Sequence, residues 1–177
     1  MNLVDWCFVL SWMDEIVYRP IGVVHSPFKA PRDVPIQATA AERVAGFVEL
    51  SMDYVEGLKD VEGFSHLILI YHCHLAQEYS LLVRPFLDKR LHGVFATRAP
   101  SRPNPIGLSV VRLTKIENNL LHIQDVDILD GTPLLDIKPF VPAFDQRKAE
   151  KIGWLTGNID NMHSSRDDGR FAKNSNM

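Results

Sequence analysis

The sequence predicts a mainly β protein, a single-sheeted antiparallel β-barrel with short helices and a C-terminal tail. Short strand-like segments dominate the first two thirds of the chain, prolines, glycines and aspartates punctuate them, and strand does not alternate regularly with helix. A doubly wound parallel sheet needs that alternation, so an antiparallel sheet is the remaining solution, and its closure would remove exposed edges.

The first strand is read over residues 18–25 and stops at the turn-forming pair Ser26-Pro27. Residues 29–40 hold Pro31 and Pro35, which cannot donate to a ladder, and are read as a surface loop. Residues 46–50 read as the next strand and residues 53–58 as a helical turn with Ser51 or Asp53 to cap it. Leu67, Ile68, Leu69, Ile70 and Tyr71 form a continuous apolar run, the pattern of a strand covered on both faces. Residues 93–97 and 108–113 read as strands, separated by a loop stiffened by Pro100, Pro103 and Pro105. Between residues 120 and 129, Leu121 and Ile123 share one parity and Val126 and Ile128 the other, so a bulge near Gln124 and Asp125 is expected to restore one inward face. A turn at residues 130–133 precedes a last strand at residues 134–138, then a helix over 147–155 and a mobile tail from 157. The expected division is an extension at 1–16, the barrel at 17–145, and the C-terminal helix and tail at 146–177.

The 177 residues suit one globular domain, and with 46% hydrophobic and 23% charged residues the chain can bury a core and stay soluble. A net charge of −3 argues against a protein that grips nucleic acid by bulk electrostatics alone. The charge is nonetheless uneven: Arg84, Lys89, Arg90, Arg98 and Arg102 face a single acid, Asp88, over residues 84–102. The two cysteines, Cys7 and Cys73, supply neither a disulfide framework nor a four-cysteine metal site, and a reducing cytoplasm fits them. The apolar stretch at residues 3–13 contains Asp5 and falls short of the roughly 20 residues of a membrane span, so no membrane partner is expected.

Two segments carry the chemistry. In residues 98–107 three prolines restrict the backbone around Arg98, Arg102 and Asn104, which pre-organises forked donors and a base-reading amide. In the turn Asp130-Gly131-Thr132-Pro133, a carboxylate and freed backbone groups suit a ribose or an amino group. His66, His72, Cys73 and His74 lack a second cluster to complete a ligand set, so no metal is expected. No glycine-rich phosphate loop, nucleophile elbow or dinucleotide fingerprint occurs.

These residues form an ordered set: His25-Ser26-Pro27-Phe28, Gly63-Phe64-Ser65-His66-Leu67, Gly93-Val94-Phe95-Ala96-Thr97-Arg98, Arg102-Pro103-Asn104-Pro105-Ile106-Gly107, Asp130-Gly131-Thr132-Pro133 and Asp136-Ile137-Lys138-Pro139. Together, over residues 17–144, they resemble the TsaA-like family, also called TrmO. The resemblance implies a single-sheeted β-barrel that uses S-adenosyl-L-methionine to methylate N6 of adenosine-37 in the tRNA anticodon loop, on a base already carrying a threonylcarbamoyl group. It implies a cofactor pocket of Pro35, Ile36, Gln37, His72, Arg98, Leu108, Asp130, Gly131, Thr132 and Pro133, with tRNA as partner and a homodimer as the assembly. Ile36 stands where bacterial members usually place an arginine.

For an exocyclic amine, catalysis is mostly alignment plus an acceptor for the departing proton. Asn104, Asp130 and Asp136 are the groups expected to supply it, Asn104 also orienting the substrate amine, with Arg102 and Lys138 expected on phosphates. The competing reading is a non-catalytic small β-barrel module that binds RNA or a nucleotide.

Overall fold

The computed structural model describes residues 16–35, 43–76, 78–157 and 167–171. Eight strands form among them: β1 (Gly22–His25), β2 (Gly46–Leu50), β3 (His66–His72), β4 (Leu82–Val83), β5 (His92–Gly93), β6 (Ile106–Glu117), β7 (Leu120–Gln124) and β8 (Thr132–Pro139). Six of them close into a barrel in the order β1, β2, β7, β6, β3, β8, each antiparallel to its neighbours. β4 and β5 form a separate two-stranded sheet. The expected mainly β architecture is therefore the observed one.

Strand periodicity builds the core. Val24, Val48, Leu67, Leu69, Val111, Leu121, Ile123 and Leu134 point inward and are at most 1% exposed. The parity switch after Ile123 is made by Asp125, whose φ of 65° is left-handed: β7 ends at Gln124, and Val126 and Ile128 then turn into the same core. The β6–β7 connection takes two residues, Asn118 adopting φ 54° between paired Glu117 and Leu120.

Two segments differ from the sequence reading. Residues 93–97 are not a strand. β5 ends at Gly93, and Val94–Ala96 is a 3-10 turn that buries Val94 and leaves Phe95 79% exposed. The turn satisfies its own backbone, because Val94 N–H donates to Leu81 O and Thr97 N–H returns to Val94 O. Nor is there a helix over 147–155: Gly153, at φ 58°, breaks it, leaving the short helix α1 (Pro142–Asp145) and a 3-10 turn at Gly153–Leu155.

A second apolar cluster joins Val83, Val94 and Ala99 to Phe171, with Phe86 packed against it. Phe86 meets Phe171 edge-on at 5.3 Å between centroids and lies under the Arg170 guanidinium at 4.8 Å. Residues 167–171 thus dock against the β4–β5 sheet and its neighbouring turn, and the Trp154 indole donates to Ala96 O at 2.7 Å from the same C-terminal region.

Barrel closure requires close backbone approach at Gly22, where a Cβ would lie 2.4 Å from Glu49 O and 3.0 Å from Leu50 Cα on the neighbouring strand. Gly22→Ala is expected to cost about 1–3 kcal/mol as an overpacking change. That lowers Tm by roughly 3–10 °C in a chain of this size, read by circular dichroism; an unchanged Tm would refute the steric account.

Candidate active site

The end of β3 brings the two chemistry-bearing segments together. Cys73 N–H, one residue past β3, donates to Pro105 O at 2.7 Å, tying the proline-stiffened loop to the strand. One residue further, His74 Nδ1 lies 3.5 Å from Thr132 Oγ1 in the aspartate turn. The segments 98–107 and 130–133 therefore share one mouth of the barrel.

Ser26 fixes the aspartate turn. Its N–H donates to Asp130 Oδ1 at 3.0 Å, and its hydroxyl donates to Ile128 O at 2.7 Å. Asp130 N–H reaches Phe28 O and Gly131 N–H reaches Val24 O, so the His25-to-Phe28 motif is the other half of this turn. Gly131 takes φ 75°, which glycine adopts without a Cβ penalty. The Lys29 ammonium, 2.6 Å from Asp130 Oδ2, leads in holding that carboxyl below its ordinary range, against partial burial and with help from the Ser26 amide. Thr132 is 2% exposed.

The loop on the other side is braced from within. Arg102 donates through Nε to Ala99 O at 2.8 Å and through Nη2 to Thr97 O at 2.6 Å and Val94 O at 3.2 Å. Through these two nitrogens Arg102, expected on phosphate, also holds the loop's shape, and Arg98 and Asn104 are exposed at its surface. Ile106 N–H closes on Asn104 O at 2.7 Å just as β6 begins.

Leu108 is 56% exposed, and Pro133 is half-buried in the ladder opposite Val23. His72 is exposed opposite Ile106, whereas His74 is half-buried against Thr132. Burial, then the neighbouring His72, pushes the His74 imidazole below its ordinary pKa and favours the neutral form. β3 ends at His72, and the turn that follows it separates the two histidines. Asp136 accepts from Ile137 N–H at 2.9 Å and pairs with Lys138 at 2.7 Å, both side chains being largely exposed. Pro35 is buried, and Val34 O accepts from Asp167 N–H at 3.1 Å. Ile36 and Gln37 lie outside the described residues.

Three groups behind this mouth escaped the sequence reading. Tyr71 Oη lies 3.1 Å from Ser109 Oγ, and Ser109 donates to Asp127 Oδ1 at 2.6 Å. Burial raises the Asp127 carboxyl to about 6 against the opposing effects of Ser109 and Arg98, and burial followed by the Asp127 charge raises the Tyr71 phenol. Burial also pushes the Cys73 thiol up to about 11, so it stays protonated and is not a nucleophile at neutral pH. Among the described residues, no three His, Cys, Asp or Glu side chains gather as a metal site, and no helix is long and apolar enough to cross a membrane.

A closed antiparallel barrel gathering a braced arginine loop, a buried threonine turn and a neutral imidazole at one mouth defines a small β-barrel binder of polar ligands. The chain belongs to the tRNA-methyltransferase O N-terminal domain family, whose profile matches residues 23–146. It is 62% identical over 156 residues to a probable S-adenosyl-L-methionine-binding protein of Pyrococcus abyssi, covering 88% of this chain and 85% of that one. It is 35% identical over 140 residues to the tRNA (adenine(37)-N6)-methyltransferase of Escherichia coli, covering 73% of this chain and 60% of that protein. The crystal structure of TrmO from Pseudomonas aeruginosa superposes with a TM-score of 0.68 at 38% identity, covering 81% of this chain and 62% of that one. The chain thus spans less than two thirds of these last two relatives.

Asp127 makes stability pH-dependent in a defined direction. Its folded form holds a proton up to about pH 6, while the unfolded chain releases it near the ordinary carboxylate value, so this contribution is complete below that value and is lost as pH rises to about 6. The loss is roughly 3 kcal/mol across that window. Asp127→Asn should flatten it, measured as urea-unfolding free energies of both proteins at pH 4.5 and 7; equal pH slopes would contradict the assignment.

Proposed function

We propose that this protein is an S-adenosyl-L-methionine-dependent methyltransferase acting on N6 of adenosine-37 in the tRNA anticodon loop, on a base already carrying a threonylcarbamoyl group. The observation that carries the reading is the meeting of the arginine loop and the aspartate turn at one barrel mouth, by way of Cys73 and His74. The names of the Escherichia coli and Pyrococcus abyssi relatives support the position and the cofactor.

The donor set suits that cofactor. Arg98 and a neutral His74 offer donors to its carboxylate, and the Thr132 hydroxyl with the turn's backbone suits its amino and ribose groups. The exposed Leu108 offers an apolar face for a base, with Pro35 and Pro133 bordering the pocket. When bound, the cofactor would supply a methyl group activated by its sulfonium for transfer to N6. Asn104, exposed on a loop braced by Arg102, orients the amine. The proton leaving N6 passes to a carboxylate in the turn before β8 or on that strand, Asp130 or Asp136, each paired with a lysine. Arg84, Lys89 and Arg90 form the basic surface for tRNA phosphates, with Lys138 beyond Asp136. A single-stranded loop presents its base at low unstacking cost.

The assembly we propose is a homodimer in the cytoplasm. Leu81, Leu82, Leu91 and Phe95 are each 57% exposed or more, a concentration of large apolar side chains that a second copy would cover. Phe95→Glu is expected to convert the dimer to monomer by light scattering; a monomeric wild type, or a dimeric variant, would refute this assembly.

Radiolabelled methyl transfer to tRNA from cells lacking this activity, followed by nucleoside mass spectrometry, tests the reaction. The expected product carries one added methyl on N6 of the modified adenosine, and Asn104→Ala should lower kcat by at least about tenfold while changing cofactor affinity little. Cofactor binding without transfer to any tRNA would favour a non-catalytic module instead.

A further inference from the structure

Among the described residues, the cluster that fills the barrel core includes none of residues 167–171. They are tied to the molecule elsewhere. The Asp167 N–H donates to Val34 O at 3.1 Å, one residue before the buried Pro35. The Arg170 guanidinium donates to Arg84 O and Pro85 O, each at 3.3 Å, and covers the Phe86 ring. Phe171, 8% exposed, completes the separate apolar cluster of Val83, Val94 and Ala99, the last of these adjoining Arg98 in the chain.

The segment that makes these contacts is short. From Asp167 to Phe171 a fully extended chain reaches at most about 14 Å. Gly169 reduces that reach: at φ 81° it turns the backbone, and its N–H donates to Asp167 Oδ1 at 2.7 Å. Val34 and Ala99, far apart in sequence, are thus held near one another by a single segment, and each adjoins a residue proposed for the cofactor pocket. Trp154 braces the second of these places again, its indole donating to Ala96 O at 2.7 Å and its ring lying 4.8 Å from that of His92. Pocket walls carried by separate segments must each be ordered when a ligand binds, an entropic cost that a tie formed beforehand removes.

We propose that residues 167–171 are a positioning strap for the cofactor site, with Phe171 as its anchor: by tying Val34 to Ala99, the strap holds Pro35 and Arg98 where S-adenosyl-L-methionine meets them. The inference rests on the reading that Pro35 and Arg98 border that cofactor's pocket. It concerns affinity for the cofactor and not the chemical step, because the strap's contacts fall on residues with no assigned part in methyl transfer.

Calorimetric titration of the full chain with S-adenosyl-L-methionine tests it, with thermal unfolding and amide hydrogen exchange run alongside. Phe171→Ala removes the anchor and should weaken binding about tenfold, an ordinary coupling between linked sites. Phe171→Leu keeps an apolar plug in the cluster and should lose at most about threefold. Ile123→Val thins the barrel core on β7 instead; it should lower Tm yet bind like the wild type, which separates loss of affinity from loss of stability. Coupling is reciprocal, so saturating S-adenosyl-L-methionine should slow exchange across residues 167–171 of the wild type by about the same tenfold. In turnover, Phe171→Ala should raise KM for the cofactor and leave kcat unchanged. Wild-type affinity in Phe171→Ala, an equal loss in Phe171→Leu or Ile123→Val, or exchange at 167–171 that ignores the cofactor overturns this inference alone. Absence of binding by the wild-type protein overturns it together with the function it rests on.

Discussion

The pairing of β3 between β6 and β8 is the constraint on which the rest of the molecule depends. Seven consecutive residues, His66 to His72, pair with β6 on one side, and five of those residues pair with β8 on the other. This double pairing closes the barrel and fixes the height of everything beyond the strand's end. Cys73 and His74 can reach Pro105 and Thr132 only because both neighbouring strands are held in register. The shift between Ile70 and Tyr71 against β8 turns the late strand, so that Leu134 enters the core while Asp136 and Lys138 face outward.

Charge at the mouth is arranged in two layers. At the surface, Asp130 with Lys29 and Asp136 with Lys138 are exposed pairs whose interactions are screened and individually worth little. Behind them Asp127 is shielded and accepts from Ser109, and burial raises its carboxyl. In the outer layer Lys29 leads in holding the Asp130 carboxyl below its ordinary range, and the inner layer ties β6 to the β7–β8 connection through Ser109 and Asp127.

The arginine loop is held from outside the barrel as well. Arg102 draws residues 94–99 around its own guanidinium, and Phe171 inserts among Val83, Val94 and Ala99. Arg170 adds contacts to the carbonyls of Arg84 and Pro85. A stretch near the C-terminus thus supports the segment that carries Arg98, and through Asp167 it also touches Val34, next to Pro35. Loop rigidity here comes from proline content together with contacts distant in sequence.

The strand pattern, the stiff 98–107 loop and the 130–133 turn were legible because each is a local property: alternation, proline content and turn chemistry act within a few residues. The parity break at Gln124 and Asp125 was legible for the same reason, and the structure resolves it with a left-handed Asp125. Residues 93–97 were misread because their β-favouring composition is overridden by carbonyls captured by Arg102, eight residues from Val94. The choice between His72 and His74, the inward turn of Arg102 and the Tyr71–Ser109–Asp127 chain were not legible. The first and last depend on which segments lie side by side, 58 residues apart for His74 and Thr132 and 38 for Tyr71 and Ser109, whereas the turn of Arg102 is set by side-chain geometry within its own loop. Sequence alone determined which segments are stiff, apolar or charged; the closed barrel decided which of them meet, because only its register brings residues so distant along the chain within hydrogen-bonding range.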